Sequence, residues 1–116
     1  MNYNYRNLVF EGGGVKGIAY GGALAELDKR GMLSKIERVA GTSAGAITAC
    51  LLAIGYTTDQ ITEIIGQTDF KKFEDNTTFF IRDIFRLIQK FGWNKGDAFK
   101  EWISKLIEAK IGSKNF

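Results

Sequence analysis

The sequence contains no histidine. Within these 116 residues a complete Ser-His-Asp triad, a Cys-His pair and a histidine-based metal site are therefore excluded. Proline is absent as well, which suits a helix-rich chain. The single cysteine, Cys50, rules out an internal disulfide framework, leaves the redox compartment open and sits in an apolar stretch that predicts plain core packing. No apolar run reaches the roughly 18 residues of a membrane-spanning helix. Met1 to Arg6 lack the charged-then-apolar layout of a secretory signal, so a cytoplasmic chain and one exported without a cleaved leader both stay open. Charge of one sign is scarce too: 16 basic against 13 acidic residues leave a net charge of only +3. That is too little to argue for nucleic acid, although a mildly basic surface suits anionic lipid. What is present is apolar material, 45% hydrophobic residues with 13% aromatics, enough for one compact core.

Along the chain, Asn7 to Glu11 reads as a short apolar strand running into Gly12, Gly13 and Gly14. From about Gly17 the period turns helical, with Tyr20, Ala23, Leu24 and Leu27 at i, i+3, i+4 and i+7, until Gly31 offers a C-terminal cap. A second strand, Glu37 to Ala40, leads into Gly41-Thr42-Ser43-Ala44-Gly45, and an apolar helix follows from about Ala46 to Ile54, stopped at Gly55. Strand, helix, strand, helix favours a parallel α/β sheet with helices on its faces, whose ligands collect at the carboxyl ends of the strands. Thr57 and Gln60 then have capping-box spacing ahead of Ile61, Ile64 and Ile65, with Gly66 closing that helix. Lys71 to Thr78 reads as a polar loop, Phe79 to Phe91 as an amphipathic helix, and Asp97 as the cap of a last helix through Trp102, Leu106 and Ile107 to near Gly112.

Gly41 to Gly45 is a G-x-S-x-G pentapeptide with a strand before it and a helix after it, the context a nucleophile elbow requires. A serine on so sharp a turn is held in a strained backbone, and side chains at Gly41 and Gly45 would collide across it. The turn presents the Ser43 hydroxyl at the sheet edge, with the Ala44 amide and the positive end of the next helix where an alkoxide would form. Alone, the pentapeptide reads equally as a small-residue turn for tight helix packing. It is joined by Gly12-Gly13-Gly14-Val15-Lys16-Gly17 at the end of the neighbouring strand, whose adjacent glycines leave amides uncovered to converge on negative charge. Lys16 suits either an anionic head group or plain solvent.

The two motifs together resemble the patatin family. Gly12 to Gly17 is similar to that family's G-G-G-x-[RK]-G loop and Gly41 to Gly45 to its G-x-S-x-G elbow, in the family's order and at about its spacing. The Gly-Asp-x-Phe-x-x-Trp-Ile run from Gly96 to Ile103 is similar to a helix start further along in several members. The resemblance covers essentially the whole chain but only the front of a patatin domain, so residues 1–116 are expected to form the N-terminal portion of one three-layer α/β/α unit. It implies a lipid acyl hydrolase, a phospholipid or other acyl glycerolipid as substrate, peripheral membrane contact, and a Ser-Asp dyad, which accords with the missing histidines. Ser43 would attack the ester carbonyl while amides around Gly12, Gly13, Gly14 and Ala44 hold the oxyanion; Lys16, Gly17, Gly41 and Gly45 complete the motifs. This chemistry needs no metal and no organic cofactor. The family's aspartate stands in D-G-[AG], and no aspartate here (Asp28, Asp59, Asp69, Asp75, Asp83, Asp97) precedes glycine. The dyad aspartate is thus unassigned and expected on a C-terminal segment beyond this chain.

Two other readings compete. Gly12-x-Gly14-x-x-Gly17 also matches a dinucleotide fingerprint, with Glu37 about 20 residues on, although Glu37 falls at the start of the second strand where a ribose-binding acid belongs at its end. A non-catalytic lipid-binding or interaction module would keep the elbow without the dyad. The stripe of Phe79, Phe80, Phe85 and Phe91 suits either a membrane interface or burial against the chain's own sheet.

Overall fold

The computed structural model describes residues 4–68 and 97–112. The loop expected at 71–78 and the aromatic helix expected at 79–91 lie outside the described residues. Strand β1 (Asn7–Phe10) leads through a glycine loop and a 3-10 turn (Gly14–Ile18) into α1 (Ala19–Lys29). A second 3-10 turn (Leu33–Lys35) precedes β2 (Arg38–Gly41), followed by α2 (Ala44–Ala53), α3 (Thr58–Gln67) and α4 (Asp97–Ile111). The two strands pair in parallel, with Leu8 beside Val39 and Phe10 beside Gly41. Parallel neighbours need a crossover, and α1 supplies it, so the architecture is α/β.

Alternation along the strands decides which side is covered. Phe10 is buried, and Leu8 and Val39 pack against a cluster of Leu24 from α1, Ile47, Ala49 and Leu51 from α2, and Ile61 and Ile65 from α3. Leu24, Leu51 and Ile61 are fully enclosed, each contributing about 1.5–3 kcal/mol by leaving water. On the opposite face Ala40 is exposed and Val9 stands 74% exposed. Both faces of the sheet were expected to carry helices; among the described residues Val9 has no such cover.

Helix α2 is buried at Ala44, Gly45, Ile47, Thr48, Ala49 and Leu51, which wraps most of its circumference in protein. Its one enclosed hydroxyl, on Thr48, is satisfied by donating to the Ala44 carbonyl at 3.1 Å. Helix α3 opens on a complete capping box, the Gln60 amide donating to the Thr57 hydroxyl and the Thr57 amide to the Gln60 side chain. It meets α1 at Gly21, where a Cβ would stand 2.9 Å from Thr62 Cγ2. Helix α4 is tied back by the Tyr56 hydroxyl, which donates to the Leu106 carbonyl at 2.7 Å, and by Lys110 Nζ 5.1 Å over the Tyr56 ring.

Boundaries shift where turn chemistry intervened. The residues after the glycine loop coil as a 3-10 turn before α1 begins, α2 starts two residues earlier than its apolar run suggests, and Gly66 lies within α3 rather than closing it. Gly31, Gly55 and Gly112 do mark helix ends, each with positive φ.

Candidate active site

Because the strands are parallel, both glycine motifs emerge at the same, carboxyl end of the sheet. Phe10 and Gly41 are register partners, the ladder extends one step further as the Thr42 amide donates to the Phe10 carbonyl at 3.1 Å, and there the two chain segments turn away. Among the described non-glycine residues only Ser43 has positive φ, at φ 53° and ψ −127°. That pair belongs to the first central residue of a type II′ turn, a conformation normally given to glycine.

What forces this geometry is visible at Gly41 and Gly45. A Cβ on Gly41 would fall on the Gly45 carbonyl and 2.6 Å from the Ala46 nitrogen; one on Gly45 would sit 2.5 Å from the Phe10 carbonyl and 2.6 Å from that of Glu11. Two bare α-carbons therefore let α2 spring directly from the strand end and press against β1. The turn is closed by the Gly45 amide donating to the Thr42 carbonyl at 2.9 Å and the Ala46 amide to the Ser43 carbonyl at 2.8 Å.

Ser43 occupies the N-cap of α2 yet makes no side-chain capping hydrogen bond. Serine at this position ordinarily spends its hydroxyl on the first-turn amides. Here positive φ swings it outward, and Ser43 is exposed with its oxygen uncommitted among the described residues.

The glycine loop lies directly against this turn. A Cβ on Gly12 would stand 3.2 Å from Ser43 Cβ and 3.2 Å from the Thr42 carbonyl, and one on Gly17 would stand 3.1 Å from Ala44 Cβ. The loop is folded by the Lys16 amide donating to the Gly13 carbonyl at 3.1 Å, with Gly14 at φ 54°. Among the described residues, the backbone amides of Gly13, Gly14 and Ala44 find no main-chain acceptor. Exposed Lys16 stands beside the loop, its Cβ 3.5 Å from where one on Gly13 would be.

One neighbour of the loop was legible only as core. Tyr20, part of the apolar stripe of α1, packs edge-on against Phe10 with ring centroids 5.1 Å apart, and its hydroxyl donates to the Glu11 carbonyl at 2.6 Å. A phenol inside an apolar stripe, one turn after a glycine loop, was the available signal, since its oxygen needs a partner. Glu37, the acid a dinucleotide site would use, lies at the opposite end of β2 and pairs with Arg6 at the start of β1. That arrangement removes the ribose contact and with it the dinucleotide reading. Cys50 is half-buried, and desolvation pushes its thiol pKa upward, away from nucleophile behaviour. Among the described residues no cluster of metal-ligating side chains exists and no helix is long and apolar enough to cross a membrane.

Comparisons with known proteins address the family. The family model "Patatin-like phospholipase" matches residues 8–115. An uncharacterised protein of Bacillus subtilis, YqhO, is 41% identical over 112 residues, 91% of this chain and 37% of its own length. A cUMP-AMP-activated phospholipase of Escherichia coli is 42% identical over 59 residues, 48% of this chain and 18% of its own. Among solved structures, VipD from Legionella pneumophila superposes with a TM-score of 0.73 at 31% identity, over 95% of this chain and 18% of that one. The chain thus spans little more than a third of the length of the YqhO relative. With the family model covering nearly every residue and the parallel strand-loop-helix frame in common with a solved relative, this chain belongs to the patatin-like phospholipase family.

Proposed function

We propose that this chain supplies the nucleophile and the oxyanion-binding amides of a serine-dependent lipid acyl hydrolase, acting on a phospholipid or other acyl glycerolipid. One observation carries the reading. Ser43 is held in a glycine-type conformation with its hydroxyl released from helix capping, against a loop so close that a Cβ on Gly12 would stand 3.2 Å from that of Ser43. Strain of this kind costs about 1–3 kcal/mol and persists where surrounding structure enforces it, which suits a nucleophile better than a spacer.

On this reading Ser43 Oγ forms a bond to the ester carbonyl carbon, the carbonyl π pair moves onto oxygen, and the hydroxyl proton passes to a base. The amides of Gly12, Gly13, Gly14 and Ala44 receive the developing oxyanion, helped by the N-terminal dipole of α2. Collapse breaks the bond to the alcohol, which takes up the proton; water then cleaves the acyl-serine by the same route in reverse. The base is proposed to be a carboxylate on a further segment of the protein, since no aspartate of this chain carries the family's following glycine. A carboxylate of ordinary pKa near 4 is a weak base toward serine, so most of the acceleration must come from the amides and from excluded water. Lys16, exposed beside the loop, is proposed to draw an anionic head group toward Ser43 at a membrane surface.

The test is covalent. A fluorophosphonate should add to the folded chain at Ser43, located by peptide mass mapping, and fail to add to Ser43→Ala. Labelling that persists in Ser43→Ala removes the reading. So does liposome flotation accompanied by no labelling in either protein, the outcome that selects a non-catalytic lipid-binding module.

A further inference from the structure

We infer that Tyr20 is a positioning residue for the oxyanion loop, acting through the peptide unit that joins Glu11 to Gly12. The inference rests on the proposed role of the glycine loop and adds the side chain that aims it. The Glu11 carbonyl is held from two sides. The Tyr20 hydroxyl donates to it at 2.6 Å, and it lies so near the Gly45 α-carbon that a Cβ there would come within 2.6 Å. The same peptide unit ends in the Gly12 amide, and Gly12 is the residue pressed against Ser43 and the Thr42 carbonyl. One rigid plane thus connects a phenol on α1 to the wall of the nucleophile turn.

Two physical effects follow. The first is placement. Adjacent glycines have the widest backbone freedom of any residues, so a loop that starts with three of them needs an external anchor to hold its amides in one direction. Tyr20 can serve because its ring is itself fixed, at 78° to the Phe10 ring, on a helix that continues directly from the loop. The second is polarisation. A hydrogen bond accepted by a peptide carbonyl draws density from the attached N–H and makes it a stronger donor, so the phenol at Glu11 sharpens the amide of Gly12. An ordinary core tyrosine would do neither, since its hydroxyl would serve only its own solvation.

The test uses the full 116-residue chain. Tyr20→Phe keeps the ring packing and removes the donor. Its expected signature is an upfield move of the Gly12 amide proton in a nitrogen-15 correlation spectrum, with fluorophosphonate addition to Ser43 slowed about tenfold. That is less than the roughly 10²–10³ of deleting an oxyanion donor outright, because the amides remain and only their aim is lost. Tyr56→Phe deletes a phenol donor beyond the C-terminal end of α2, where its partner is the Leu106 carbonyl, and should leave both readouts near wild type. Equal slowing in Tyr56→Phe, or an unmoved Gly12 proton with unchanged labelling in Tyr20→Phe, overturns the inference. If the Phe variant fails to fold, 3-fluorotyrosine placed at position 20 answers instead. Its more acidic phenol should push the Gly12 proton downfield, and no movement overturns the assignment. Should the Gly12 proton respond while wild type takes no label at all, Tyr20 keeps its anchoring role and the hydrolase reading alone falls.

Discussion

Replacing Ser43 by glycine should make the protein more stable, whereas replacing it by alanine should not. The backbone at this position stands at φ 53° and ψ −127°, where a Cβ clashes with its own peptide groups and glycine has no such penalty. Relief of that strain is worth about 1–3 kcal/mol. Against it stands the greater freedom glycine gives the unfolded chain, about 0.4–1 kcal/mol. The net gain is thus about 1 kcal/mol, or about 4 °C in melting temperature for a domain of this size. Alanine retains the Cβ and therefore the strain, and Ser43 forms no cap for it to lose, so Ser43→Ala should melt close to wild type. Thermal unfolding followed by circular dichroism, with all three proteins at equal concentration, reads the difference directly. A glycine variant that melts at or below the alanine variant would refute the claim that the turn stores strain, and with it the argument that the position is kept for chemistry.

Further expectations concern the surroundings of that turn. Gly12→Ala forces its Cβ to 3.2 Å from Ser43 Cβ and should slow phosphonate addition about 10- to 100-fold while melting shifts little, measured by time-resolved intact mass. Gly45→Ala places a methyl 2.5 Å from the Phe10 carbonyl and should cost at least about 3 kcal/mol, seen as loss of the folded chain from the soluble fraction. Thr57→Ala breaks the capping box of α3 and should lower stability by about 1 kcal/mol in urea titration. Burial raises the Cys50 pKa, so a thiol reagent should react more slowly with native than with unfolded protein at mildly alkaline pH. Any stability this thiol contributes is complete below its unfolded-state pKa and disappears as pH climbs through the folded-state value. Val9→Thr, on the sheet face that has no cover among the described residues, should reduce self-association in sedimentation velocity without lowering the melting temperature.

Much of the frame could be read from residue order because local chemistry and tertiary packing agree there. Thr57 and Gln60 announce a capping box that forms, and Gly55 ends α2 where its apolar run suggested. The sharp strand-to-helix turn was legible for the same reason, since only glycine tolerates the contacts at positions 41 and 45. Disagreement arises where one residue answers to two demands. Leu8-Val9-Phe10 is a uniform apolar run, and nothing within it says that Val9 faces away from the cluster that takes its neighbours. Tyr20 fits its helical stripe, and nothing in that period says that its hydroxyl reaches the Glu11 carbonyl, nine positions earlier. The helix Ala44–Ala53 begins earlier than hydrophobicity implied because the strained serine, rather than the first apolar side chain, sets its origin.

The pairing of Phe10 with Gly41 also governs when, during folding, this site can exist. Each bend closes on local hydrogen bonds but is packed against main chain some thirty positions away, and parallel strands join only after the intervening crossover helix has closed an entropically costly loop. If Ser43 is the nucleophile proposed above, a nascent or partly unfolded chain carries a serine of ordinary reactivity. Arming on that reading is tied to completion of the fold, and a misassembled copy would be inert rather than loosely destructive.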